Sequence, residues 1–120
     1  MKYILYCHRI FCFNFKQSIA FYADTLGLPL KSVNDEFGWA EFSLPGGTLA
    51  IEQQDPNDEE AYSLVGRFLG ISLQVDNLDE VYAELISKGV SFQGPPEKQE
   101  WGASLAHFKD PDGNVLTLLG

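Results

Sequence analysis

Cysteine, histidine and positive charge are all scarce in this chain of 120 residues, and each shortage removes a class of protein. The two cysteines, Cys7 and Cys12, lie five residues apart in one expected strand. Strand alternation sends them to opposite faces, so they cannot bridge and there is no disulfide framework. The two histidines, His8 and His107, are a thin supply for a metal centre. Eight Lys and Arg against 17 Asp and Glu leave a formal net charge of −9. That balance offers no basic face to neutralise phosphates and argues against nucleic-acid binding. No apolar run is long enough to span a bilayer, so no membrane partner is expected. The first residues, Lys2 followed by apolar side chains, superficially resemble a signal peptide. His8, Arg9 and Asn14 interrupt that stretch and no small-residue cleavage site follows, so the expected location is the cytoplasm.

What is present is a repeated order of elements. Residues 3–13 are rich in β-branched and aromatic types and read as a strand. From Lys16 to about Leu26 the period becomes helical, with Ile19, Phe21, Tyr22 and Leu26 on one stripe and Gly27 just past the end. Residues 28–33, 38–44 and 48–53 read as three strands, the last two joined by a turn at Pro45-Gly46-Gly47. Residues 54–66 are acidic, poor in apolar side chains and rich in turn chemistry, and read as a linker. The same order then recurs. A strand at 67–75 leads into a helix at 78–87 closed by Gly89, followed by strands at 90–93, 103–109 and 115–119. Asp110-Pro111-Asp112-Gly113-Asn114 supplies the tight turn before the last strand. The expected organisation is one domain built from two modules, about 1–53 and 67–120, and a site is expected where two such units meet.

Several stretches in fixed order carry a family resemblance. They are Ser18-Ile19-Ala20-Phe21-Tyr22 with Leu26-Gly27-Leu28, Val75-Asp76-Asn77-Leu78 with Lys88-Gly89-Val90, and Asp110 to Asn114. In these the chain resembles the vicinal oxygen chelate superfamily of glyoxalases, bleomycin-resistance proteins and extradiol dioxygenases, over nearly its whole length. The resemblance implies an α+β fold of two βαβββ modules, forming a cupped, barrel-like mixed sheet with the helices outside, and a homodimer. It also implies metal-ligand positions at Cys7, Glu52, Gly70 and Thr117. Of these only Glu52 is an ordinary ligand, since Gly70 has no side chain and a Thr hydroxyl binds divalent zinc, nickel or iron poorly.

The second half is more similar to the bleomycin-resistance proteins, through Leu78 to Glu84, Trp101-Gly102 and the Asp110 turn. That similarity implies a metal-independent protein that sequesters a cationic or aromatic drug or toxin, by stacking and negative potential. If Cys7 faces the cup, Arg9 and Phe11 face it too, and Arg9 then needs an anion or a carboxylate partner, of which Glu52 is the natural one. The expected cleft comprises Cys7, Arg9, Phe11, Trp39, Glu52, Phe68, Trp101, His107 and Thr117, with no cofactor and no catalytic residue. Phe37 and Phe42 are further aromatic resources around the third strand. The alternative is a metal-dependent lyase or dioxygenase binding one divalent ion (nickel, zinc, iron or manganese) through Glu52, His107 and His8 or Cys7.

Overall fold

A computed structural model describes all residues from Met1 to Gly120. The chain divides into two compact units, Met1–Gly66 and Arg67–Gly120. The first contains strands β1 (His8–Cys12), β2 (Leu30–Asn34), β3 (Trp39–Leu44) and β4 (Gly47–Gln53), with helix α1 (Phe15–Ala20) after β1. Its sheet has the order β1-β4-β3-β2, with β1 parallel to β4 and the other pairs antiparallel. The second contains β5 (Phe68–Gln74), α2 (Leu78–Ser87), β6 (Ser91–Phe92), β7 (Glu97–Lys98), β8 (Ser104–Lys109) and β9 (Val115–Leu119). Its order is β5-β9-β8-β6, and β7 also pairs with β8. The expected α+β modules are therefore present, but their strands form two open mixed sheets rather than a closed barrel.

In each unit the helix lies against one face of its own sheet. Asn14 and Asn77 cap the two helices, accepting from the backbone N–H of Gln17 at 3.1 Å and Glu80 at 3.2 Å. Ile10, Cys12, Ala40, Phe42, Leu49 and Ile51 are buried on the helix side of the first sheet, where the Tyr22 ring meets Phe42 with centroids 6.1 Å apart. In the second unit Tyr82 of α2 packs on Phe92 at 4.8 Å, and Phe92 on the fully buried Phe108 at 5.7 Å. These ring contacts leave the opposite face of each sheet to the residues at alternate positions.

Local boundaries differ from the sequence expectation for definable reasons. The first strand starts at His8 rather than residue 3, because His8 pairs with Leu49 and β4 begins only two residues earlier, at Gly47. Residues farther upstream have no neighbouring strand, and Tyr3, Ile4, Leu5 and Tyr6 are exposed. Helix α1 does not run to Leu26 in one conformation. It widens into a π turn over Phe21–Thr25, closed by the Leu26 N–H on the Phe21 carbonyl at 2.9 Å. The acidic segment is not structureless either. Glu59–Ser63 forms a 3₁₀ turn capped by Asp58, and Tyr62 packs on Phe13 with centroids 5.1 Å apart. The expected strand at 90–93 is present as β6, and a further short strand, β7, follows beyond Pro95 and Pro96, where the edge ladder lacks two N–H donors.

Candidate functional site

The face of the first sheet opposite the helix collects polar and aromatic side chains. Strand register sets Phe11, Glu52 and Trp39 in one row across β1, β4 and β3, and Arg9, Ala50 and Glu41 in the next. Cys7 precedes β1 and, by alternation, shares this face. An Arg9 Nη1 donates to Glu52 Oε1 at 3.3 Å, and the Arg9 guanidinium carbon lies 5.3 Å from the centre of the Phe11 ring. The other Glu52 oxygen accepts from Gln54 Nε2 at 2.9 Å. Trp39 is half-buried, and its indole Nε1 donates to Glu41 Oε2 at 2.8 Å. That oxygen also accepts from the Tyr6 hydroxyl at 3.5 Å, while Lys31 Nζ stands 4.0 Å from Oε1. Glu41, absent from the sequence-based site, is thus the most connected carboxylate on the face. Its position two residues after Trp39 on one strand is the signal that would have found it.

Cys7 is partly buried, and that burial pushes its thiol above the ordinary value. Arg9 opposes the shift, while Glu41 and Glu52 add to it. The thiolate is the nucleophilic form of cysteine, and an upward shift lowers its share. His8 pairs with Leu49, which places it on the helix side of the sheet, the opposite face from Glu52. The structure therefore does not bring His8 and Glu52 onto one face, since the register runs without a bulge from His8 to Cys12.

In the second unit, His107, Thr117 and Ser72 form one row across β8, β9 and β5. His107 Nδ1 is 2.8 Å from the buried Thr117 Oγ1, and the Phe68 ring meets the imidazole edge-on at 5.7 Å. Phe68 is exposed, and Trp101 is exposed in the turn before β8. Phe37 is an exposed turn residue, and Phe42 lies in the core on the helix side. A cavity of about 360 Å³ opens where the edge ladder is broken, lined by Gln93, Glu97, Gln99, Leu105 and His107 among others. Gly70 occupies a bulge between Phe68 and Ser72 with φ of +72°, a conformation that L side chains rarely adopt.

The superfamily positions for a divalent metal therefore carry the Cys7 thiol, a carboxylate engaged by Arg9 and Gln54, a bulged glycine and a threonine paired with His107. No group of three His, Cys, Asp or Glu side chains in either unit is arranged to hold a metal ion. At two of the four positions the ligand is lost, since Gly70 has no side chain and a Thr hydroxyl binds zinc, nickel or iron poorly.

Comparison with known proteins agrees with the architecture. Residues 3–118 match the model of the Glyoxalase/Bleomycin resistance protein/Dioxygenase superfamily. The uncharacterized protein YraH of Bacillus subtilis (strain 168) is 35% identical over 121 residues, covering 92% of each chain. Among solved structures, a superfamily member from Sphaerobacter thermophilus DSM 20745 superposes with a TM-score of 0.78 at 28% identity, covering 98% of this chain and 97% of that one. TnmS3, described as an antibiotic binding protein from Streptomyces sp. CB03234, gives 0.74 at 26% identity, covering 98% and 94%. With two strand–helix–strand modules and a whole-length match to the family, the chain belongs to the glyoxalase/bleomycin resistance protein/dioxygenase superfamily.

Proposed function

We propose that this protein binds a small planar aromatic or cationic molecule, without metal and without turning it over, and so sequesters a drug or toxin. The observation that carries this reading is Trp39, half-buried on the sheet face opposite the helix, with its indole held by Glu41 at 2.8 Å. A ring fixed in this way has little rotamer freedom left to lose when a ligand stacks on it. Glu41 and Glu52 beside it supply negative potential, and the formal charge of −9 adds to that field. The likeness to TnmS3, an antibiotic binding protein, supports the same class of activity. The donor set described above favours metal independence. The proposal includes a homodimer, as the superfamily resemblance implies, acting in the cytoplasm, as the polar interruptions of the N-terminal stretch suggest.

The test is fluorescence titration of chelator-treated protein with proflavine, a planar cation, alongside native mass spectrometry after exposure to nickel, zinc, iron and manganese. Saturable dye binding is expected, weakened roughly 2- to 10-fold by Trp39→Ala through loss of one aromatic contact. The expected mass is that of a metal-free dimer. Dye binding indifferent to Trp39→Ala would remove the stacking platform. One tightly held metal per chain would transfer the protein to the lyase and dioxygenase class.

A further inference from the structure

We infer that the ligand is a planar, charge-delocalised cation, and that Arg9 occupies its seat in the ligand-free protein, so that ligand and Arg9 compete. The inference rests on the binding function proposed above and specifies its chemistry. The Arg9 guanidinium makes two contacts, an ion pair to Glu52 at 3.3 Å and a cation–π contact over Phe11 at 5.3 Å. An aromatic face beside a carboxylate is the arrangement that recognises a planar cation, and a guanidinium is itself planar and delocalised. The chain's own side chain therefore models the ligand class. Gln54 holds the second Glu52 oxygen at 2.9 Å, so the carboxylate is oriented from another direction and stays in place when Arg9 leaves.

Arg9 is suited to leave. Its side chain is 54% exposed against 26% for Glu52, and a 3.3 Å contact lies at the long end for a charge-assisted hydrogen bond. An exposed ion pair of this kind is worth little, and the guanidinium regains water when it swings out. Trp39 occupies the same row as Glu52 and Phe11, so a ring wider than a guanidinium can reach the indole while its charge takes the vacated position. Arg9 then acts as a specificity filter. A neutral ring gains nothing from displacing it, whereas a cation recovers both contacts that Arg9 gives up.

The experiment titrates wild type, Arg9→Gln, Arg9→Lys and Lys98→Gln with proflavine, with acridine under mildly alkaline conditions where it is neutral, and with acridine-9-carboxylate. Arg9→Gln should tighten proflavine roughly 3- to 30-fold, the range set by one exposed ion pair plus one cation–π contact. Acridine affinity should stay unchanged. Lys98→Gln removes the same unit of charge from an exposed residue on β7 and should leave proflavine binding unchanged, which separates competition from net charge. Arg9→Lys, which keeps charge but loses the flat fork, should fall between wild type and Arg9→Gln. Weaker or unaltered proflavine binding in Arg9→Gln overturns the inference, as does equal tightening of acridine. Loss of acridine-9-carboxylate binding in Arg9→Gln overturns it too, because Arg9 would then be recruiting an anion. If wild type binds proflavine and Trp39→Ala weakens it while Arg9→Gln does nothing, the inference fails and the proposed function stands. If no dye binds any variant, both fail together.

Discussion

The turn from Asp110 to Asn114 should be a principal support of the second unit, and replacing Asp110 with alanine measures this. Asp110 is 5% exposed and Asn114 is completely buried. Asp110 Oδ1 accepts from the backbone N–H of Asp112 and of Asn114, both at 2.9 Å, and Oδ2 accepts from Asn114 Nδ2 at 2.9 Å. Backbone bonds from Asp110 N–H to Asn114 and from Gly113 N–H to Asp110 complete the loop, at 2.9 and 3.0 Å. Asp110→Ala removes the acceptor of three donors, two of them on a residue with no access to water. A buried donor left unsatisfied costs about 1–3 kcal/mol, so two of them with partial relaxation give about 2–5 kcal/mol. That is a large share of the roughly 5–15 kcal/mol of a typical domain. Asp110→Asn keeps Oδ1 for the two backbone donors but sets one amide N–H₂ against another, and should cost about half as much. Urea unfolding followed by circular dichroism reads both variants. With a slope of about 1–3 kcal/mol per molar, Asp110→Ala should move the midpoint down by roughly 1–5 M. A loss below about 1 kcal/mol for Asp110→Ala, or equal losses for the two variants, would refute the claim that buried donors depend on this carboxylate.

Two further outcomes follow from the first unit. Gly38 has φ of +62°, and a Cβ there would lie 2.6 Å from Gln53 Cβ, so Gly38→Ala should destabilise the protein. The expected loss is about 1–3 kcal/mol in thermal melts, and an unchanged midpoint would show that the β2–β3 turn adapts. Cys7 should react with iodoacetamide with a pH midpoint above that of a small free thiol, because burial raises its pKa, with Arg9 opposing and Glu41 and Glu52 assisting. Arg9→Gln should move the midpoint higher still and Glu41→Gln should bring it down, while Cys12, fully buried, stays unreactive in the folded state. Since the folded thiol keeps its proton to higher pH than the unfolded one, its contribution to stability is lost as pH rises from the ordinary thiol range through the folded value. A midpoint at or below the free-thiol control contradicts the burial argument.

Strand alternation made much of this molecule readable in one dimension. It placed Arg9 and Phe11 on one face of β1, with Cys7 just before it, and the turn chemistry at Pro45 and Asp110 marked both late hairpins. The modules and their family followed from the order of such signals. Alternation fails where an element ends for a reason held elsewhere in the chain. The first strand begins only at His8 because β4 begins at Gly47, which no feature of residues 3–7 encodes. The π turn after Ala20 has the same origin, since apolar periodicity cannot distinguish a four-residue from a five-residue hydrogen-bond step.

The site shows the same division at the scale of side chains. Glu52 was legible as a partner for Arg9 because one charge of each sign was expected on the same face. Glu41 was passed over, although its spacing from Trp39 puts it on that face, because its place among the neighbouring strands comes from register. Pairing Trp39 with Glu52 and Glu41 with Ala50 sets two carboxylates diagonally, with an indole beside each. One strand shows which residues share a face, but only the neighbouring strand shows which stand in one row. Binding specificity resides in the rows. Arg9 is opposite Ala50, a side chain too small to hold it, so the guanidinium leans along the strand to Phe11 and across to Glu52. With a larger or acidic residue at position 50, Arg9 would have a partner in its own row and no reason to cover the aromatic seat. The proposed competition between ligand and Arg9 thus depends on alanine at a position with no chemistry of its own, which is why no search for functional residue types would have found it.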